Sequence, residues 1–234
     1  MRSYKIYLYR HGVAEGNLEG KYIGVTDSPL SAQGKEELKQ LTAEKEYPAV
    51  GIVYSSPLTR CRETAGILYP EMEPVLVDQI QEYNFGIFEN RSMEELGKMP
   101  EFIQWTQSNM RQAPAGGEDM QAFTQRIREG FDWLIKDMMK RKISTSAVIT
   151  HGGVIMSALG MFGLPKMEPA NWTCKPGCGY SLLVNAAMWG NAMALEICDR
   201  IPYEKEEEYE LENYHLMDVD EMRRQYEQEQ KDLE

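Results

Sequence analysis

Basic residues are in deficit in this chain: 25 lysines and arginines stand against 37 aspartates and glutamates, a formal net charge of −12. That balance argues against nucleic acid or an anionic membrane as partner, because both require a basic surface. It also sets a condition, since an acidic surface repels phosphate esters and any anion site must then be locally positive. Cysteine is scarce as well. Cys61, Cys174, Cys178 and Cys198 lie in no disulfide-framework spacing, and a chain of 234 residues needs no covalent staples, so they read as reduced thiols of a cytoplasmic protein. Met1 to Lys5 leads into an apolar run of only a few residues, too short for a signal segment or a bilayer span, so neither secretion nor membrane insertion is expected. What remains, 42% hydrophobic residues with 10% aromatics, suits one packed catalytic domain.

Histidine is the scarcest informative residue, with three in the chain, and two of them fall at matching places. An apolar strand from Tyr4 to Tyr9 runs out into Arg10-His11-Gly12. A second, Ser146 to Thr150, runs out into His151-Gly152-Gly153. In α/β folds that edge of the sheet binds ligands. Further strands are expected at Val50–Tyr54, Val75–Val77, Tyr180–Val184 and Met193–Ile197. A helix begins after Ser31 as N-cap, and another follows Ser55-Ser56-Pro57, with Pro57 in its first turn. Phe123, Ile127, Phe131, Leu134, Ile135 and Met138 keep helical spacing behind Glu118 and Asp119. The alternation of strands and helices predicts a three-layer α/β/α sandwich on a mostly parallel sheet. Residues 1–202 form the catalytic domain. Residues of about 90–118, polar and broken by Pro100, Pro114, Gly116 and Gly117, read as an insertion over the ligand edge rather than as core. Residues 203–234 form an acidic tail with a helical face of Val219, Met222 and Tyr226, open to three roles: a lid, a homodimer contact or a docked helix.

Phosphoryl transfer needs a nucleophile that is neutral near pH 7 and can carry a phosphoryl group, and histidine meets both conditions. Neighbouring arginines disfavour the imidazolium, the role open to Arg10 beside His11. Strand neighbours point to opposite faces, so Arg10 and His11 reach one phosphate only if the strand ends there, at Gly12. Guanidinium forks suit phosphate oxygens, and Arg60, early in the helix after Pro57, can add its fork to that of Arg10. Asn17 offers a side-chain amide, and Gly24 and Gly152 offer backbone N–H groups. Glu82 stands at a loop position suited to protonating the leaving oxygen. Burial would raise its pKa and the arginines would lower it, and the sequence does not decide which prevails. Cys174-Lys175-Pro176-Gly177-Cys178 invites a zinc reading that fails for want of further ligands, and Trp172 and Tyr180 beside it read as core.

In order, these motifs resemble the histidine phosphatase (phosphoglycerate mutase-like) superfamily over residues 4 to about 200. The stretches that carry the resemblance are Leu8-Tyr9-Arg10-His11-Gly12 with Asn17, then Gly24, Asp27, Pro29-Leu30-Ser31 and Gly34, then Ser55 to Arg60. They continue with Glu82 and Phe85-Gly86-Ile87-Phe88-Glu89, Gly116-Gly117-Glu118, and His151-Gly152-Gly153. The resemblance implies His11 as phosphorylated nucleophile, His151 as its phosphate-contacting partner, Arg10, Asn17 and Arg60 as phosphate binders, and Glu82 as proton donor, with no metal and no cofactor. Ala14, Cys61 and Asn90 depart from the family pattern at positions where threonine, alanine and glycine are common. The expected function is hydrolysis of a small phosphorylated metabolite through phosphohistidine. The alternatives are a phosphoglycerate mutase and a catalytically silent phospho-ligand module. Phe85 to Glu89 resembles phosphatase members more than mutases, and Gly117 to Asp119 with Trp172 to Tyr180 resembles α-ribazole phosphatase-like members.

Overall fold

The computed structural model describes residues 3–108, 110 and 112–205. Its main sheet has seven strands: β1 (Ser3–Arg10), β3 (Ile52–Ser55), β4 (Val75–Leu76), β5 (Thr145–Thr150), β6 (Gly163–Leu164), β7 (Gly179–Asn185) and β8 (Leu195–Ile201), in the order β4-β3-β5-β1-β7-β8-β6. β4, β3, β5 and β1 run parallel, β7 lies antiparallel between β1 and β8, and β6 is parallel to β8. A separate ladder pairs β2 (Lys45–Glu46) with β9 (Tyr203–Glu204).

Period-2 alternation sorts the strand side chains into two cores. Tyr4, Ile6 and Leu8 of β1, Ile52 and Tyr54 of β3 and Val148 of β5 face one core, shared with the helices Met120–Arg141 and Gly152–Phe162. Tyr7, Tyr9, Val53, Ala147 and Ile149 face the other, shared with the helices Ala32–Glu44 and Thr59–Leu68. This is the three-layer sandwich that the alternation predicts. The long helix buries Phe123, Ile127, Phe131, Leu134, Ile135 and Met138, its first turn is capped by the Asp119 carboxylate on the Ala122 N–H, and Lys140 and Arg141 lie in its last turn. Ser31 likewise accepts from the Gly34 N–H.

Three details differ from the expectation. The segment beyond Ser92 contributes to the core: its helix Pro100–Gln107 sets Phe102 and Trp105 against Phe88, with ring centroids 5.2 and 5.4 Å away, and Leu96 is fully buried. The polar average of the segment conceals three apolar residues on one side of two short helices. Pro57 precedes its helix, which starts at Thr59 because Asp27 accepts from both the Thr59 N–H and hydroxyl. Tyr203 and Glu204, assigned to the tail by composition, pair with β2; the remainder of the expected tail helix, from residue 206, lies outside the described residues.

Candidate active site

Parallel register brings the chemistry together. Arg10 pairs with Thr150 and Ser55 with Ile149, so the C-terminal ends of β1, β3 and β5 deliver Arg10-His11, Ser55-Ser56 and Thr150-His151 side by side. β1 ends at Arg10, as the shared-phosphate argument requires, and the His11 N–H is held by the Thr150 carbonyl at 2.9 Å. The two imidazoles meet edge to face with centroids 5.1 Å apart.

His11 Nδ1 lies 2.6 Å from the Gly12 carbonyl, which accepts its proton and leaves Nε2 with the lone pair. Burial and, after it, the Arg60 guanidinium push His11 down to about 3, so the ring is neutral at ordinary pH. His151 is also held well below its usual range, first by burial and then by Arg60. Its Nδ1 accepts from Arg60 Nε at 3.3 Å, which leaves Nε2–H to donate to the Ser56 hydroxyl at 2.8 Å.

Arg10 donates from one terminal nitrogen to the Cys174 carbonyl at 3.0 Å, while its buried Nε–H has no partner among the described residues. An orphaned guanidinium donor is costly to bury and is satisfied by an anion. It sits on a cavity of about 200 Å³ lined also by His11, Asn17, Glu82, Gly152, Gly153 and Met156. Asn17 spends its carbonyl oxygen on the Ala14 N–H, so its NH₂ group supplies the remaining donors. Gly152 opens the helix Gly152–Phe162, whose first N–H groups lack intrahelical acceptors.

Glu82 accepts from the Gly153 N–H and from its own neighbour Tyr83 N–H, each at 2.9 Å. Its residue surface is only partly covered, yet the carboxyl end lies deep, and burial raises its pKa against the two N–H groups, Arg60 and Arg126. The question that the sequence leaves open is answered in favour of burial. A side chain at Gly153 would displace the Glu82 carboxylate, since a Cβ there would lie 2.4 Å from it. The other nearby carboxylates are engaged elsewhere: Glu89 accepts from the N–H groups of Gly24, Val25, Thr26 and Phe85, Glu94 pairs with Lys98, and Glu95 caps at Ser92.

Two expected phosphate donors are placed differently. The Gly24 N–H goes to Glu89 at 3.0 Å, and the Gly24 carbonyl accepts from Arg60 at 2.6 Å, so Gly24 braces the wall of the site. Arg60, 1% exposed, also donates to the Thr26 carbonyl and to His151. Three of its five N–H groups therefore hold the 24–26 loop and meet His151, and its side chain is not part of the cavity lining.

Arg126, which belongs to none of the motifs, organises the Glu82 loop. It binds Glu118 through two nitrogens, at 2.6 and 2.9 Å, and donates to the carbonyls of Gln79, Gln81 and Glu82. The sole signal in the sequence is an arginine eight positions after Glu118 in the long helix. Of the departures, Asn90 takes a left-handed φ of 60°, the conformation that glycine and asparagine adopt most readily. Cys61 lies with its sulfur 3.5 Å from His151 Nε2. The Cys174 to Cys178 turn clamps the end of β1, since Cys178 O accepts from the Arg10 N–H. Among the described residues no cluster of histidine, cysteine or acidic groups could hold a metal. Trp172 and Tyr180 are buried against each other, as core.

Comparison with known proteins gives the family. The profile of the histidine phosphatase superfamily (branch 1) matches residues 6–190, and the chain belongs to that superfamily. Among curated relatives, the adenosylcobalamin/alpha-ribazole phosphatase of Escherichia coli K12 is 26% identical over 77% of this chain and 90% of its own length. Phosphoserine phosphatase 1 of Hydrogenobacter thermophilus is 31% identical over 66% and 74%. In fold, the alpha-ribazole phosphatase of Shigella flexneri superposes with a TM-score of 0.69 at 22% identity, covering 83% of this chain and 94% of that one. The chain is a phosphatase enzyme of this superfamily. No helix among the described residues is long and apolar enough to cross a membrane.

Proposed function

We propose that His11 is the nucleophile of a metal-independent phosphomonoesterase that works through phosphohistidine. The observation that carries the reading is the combination in one cavity of a neutral His11 with its Nε2 free, an unpartnered Arg10 Nε–H and the Glu82 carboxyl. Nε2 attacks phosphorus as the P–O ester bond breaks. Glu82 gives its proton to the departing oxygen. Water then attacks phosphorus, its proton passes to Glu82, and the N–P bond breaks to release phosphate and regenerate His11. Arg10, Asn17 and the Gly152 N–H bind the nonbridging oxygens, and the Arg60–His151–Ser56 chain supports them with charge and orientation.

The cavity of about 200 Å³ suits the phosphate of a small phosphorylated metabolite. Unpaired thiols support a cytoplasmic setting, and residues 203–234 remain candidates for a homodimer contact. The test is phosphate release without added metal from a panel of monoesters, together with trapping of an acid-labile phosphoenzyme. Release from one class and a trapped phosphohistidine absent from His11→Ala are expected. Binding of esters without release, or exchange of phosphate between glycerate positions, would favour the silent-module or mutase readings instead. The latter is kept in view by curated relatives named probable phosphoglycerate mutase, 27% identical over 165 residues.

A further inference from the structure

Beside the phosphate cavity lies a second, larger one of about 760 Å³, and the two share Glu82, Gly153 and Met156 as a common wall. Glu82 is the group that faces the leaving oxygen in the proposed reaction, so whatever alcohol departs from phosphorus extends into this cleft. Its walls include Phe85, Phe123, Met110, Met120, Met156 and Met161, two aromatic rings and four thioethers. Sulfur and aromatic edges pack favourably on ring-shaped ligands, and methionine adapts to their outline.

What the cleft offers to polar groups is limited. No described lining residue is cationic. The Thr124 hydroxyl is turned back to the Met120 and Gln121 carbonyls of its own helix, and the Tyr83 hydroxyl donates to the Glu118 carbonyl. Ser157 and Tyr22 remain as side chains able to address a hydroxyl or a ring nitrogen. An alcohol bearing a carboxylate would bury that charge among methionines with no counter-ion among the described lining residues, and beside the Glu82 carboxyl. A polyol would leave several hydroxyls unsatisfied.

Resting on the phosphatase reading of the adjoining site, we propose that the physiological ester is one of a bulky, uncharged, ring-bearing alcohol seated in this methionine-lined cleft, and not a phospho-amino acid, phosphoglycerate or sugar phosphate. The cleft is the specificity determinant, and Met161 and Ser157, which line it without touching the phosphate cavity, are its most separable residues.

Affinity can be read apart from turnover by calorimetry on the full chain with non-hydrolysable phosphonates. 2-Phenylethylphosphonate is expected to bind about 30-fold more tightly than 2-amino-4-phosphonobutyrate, as burial of one ring in place of a zwitterion implies. Equal affinities, or tighter binding of the amino acid analogue, overturn the proposal. Met161→Arg is expected to reduce the preference to about 3-fold or less while leaving ethylphosphonate affinity unchanged. Ser157→Asp gives a second variant should the first not fold, with the same expectation. A preference that survives in a folded variant overturns the assignment to this cleft. Hydrolysis of 2-phenylethyl phosphate and O-phosphoserine, both primary alkyl esters, is followed separately. Tight, selective binding of the phenyl analogue with no phosphate release from either ester would sustain the ligand class and defeat the phosphatase reading, whereas faster release from O-phosphoserine would do the reverse.

Discussion

The two adjoining cavities are built on opposite plans. The phosphate cavity, of about 200 Å³, is drawn from strand ends and a helix N-terminus, and its polar groups are fixed by named hydrogen bonds. The cleft of about 760 Å³ is drawn from loops and helix sides far apart in the chain, and it offers mainly shape and apolar surface. Chemistry common to a superfamily can thus be held constant while the acceptance of alcohols changes. Substitutions in the first cavity should slow every ester alike. Those in the second should reorder the esters.

The largest effect is expected at His11. His11→Ala should abolish the phosphoenzyme and lower kcat/KM by about 10⁴-fold or more for all esters, since one nitrogen both attacks phosphorus and leaves it in the second step. A variant that kept wild-type turnover would break the comparison at its root. Glu82→Gln comes next, with a loss of about 10² to 10⁴-fold on alkyl esters and a much smaller one on p-nitrophenyl phosphate, whose leaving group needs no proton. The pH sign follows from the raised pKa: the acid form acts below that pKa and is lost as pH rises through it, so kcat falls on the basic side. That descending limb should vanish in Glu82→Gln.

Arg126→Ala should sharpen the boundary between the cavities, because Arg126 touches neither histidine and acts by holding the Glu82 loop. A fall in kcat of about 10-fold to 10²-fold is expected, with KM little changed and the basic limb displaced. Arg126→Lys should recover little, since one ammonium cannot span Glu118 and three carbonyls at once. An unchanged pH profile in Arg126→Ala would reduce its role to fold stability.

Much of the first cavity was legible because each of its main parts is contiguous: a strand pattern followed at once by its histidine, with parallel register doing the assembly. His11 and His151 meet because β1 and β5 are neighbours, and an alternating chain makes such neighbours common. The differences share a physical form. By its loop position Gly24 offers a free N–H donor, but Glu89, 65 residues on, claims that amide. Arg60 reads as a phosphate fork, and two carbonyls and His151 take three of its five N–H groups. Local spacing does not reveal which long-range acceptor a donor meets. The protonation of Glu82 was undecidable for a related reason, as burial is a property of everything packed around it. The cleft was least legible: Phe85, Met120 and Met161 carry no pattern of their own that distinguishes a ligand wall from core.

The smallest expected effect bears on what the phosphate cavity demands of the fold itself. His11 titrates at about 3 in the folded chain against 6.5 unfolded, and His151 is displaced in the same direction. Between those values the unfolded chain binds protons that the folded chain refuses, so stability is full above the unfolded value and declines as pH falls toward the folded one. For His11 alone the loss is on the order of 2 kcal/mol at pH 5, which lowers Tm by roughly 4–8 °C in a protein of this size. Carboxylates also titrate in acid, so the comparison that isolates the imidazole is the slope of Tm against pH in His11→Gln, which should be shallower between pH 6.5 and 5. An equal slope would mean that the folded chain binds a proton on His11 as readily as the unfolded one, and the nucleophile would then be lost to protonation as pH falls through about 6.5, with a matching acid limb in kcat/KM.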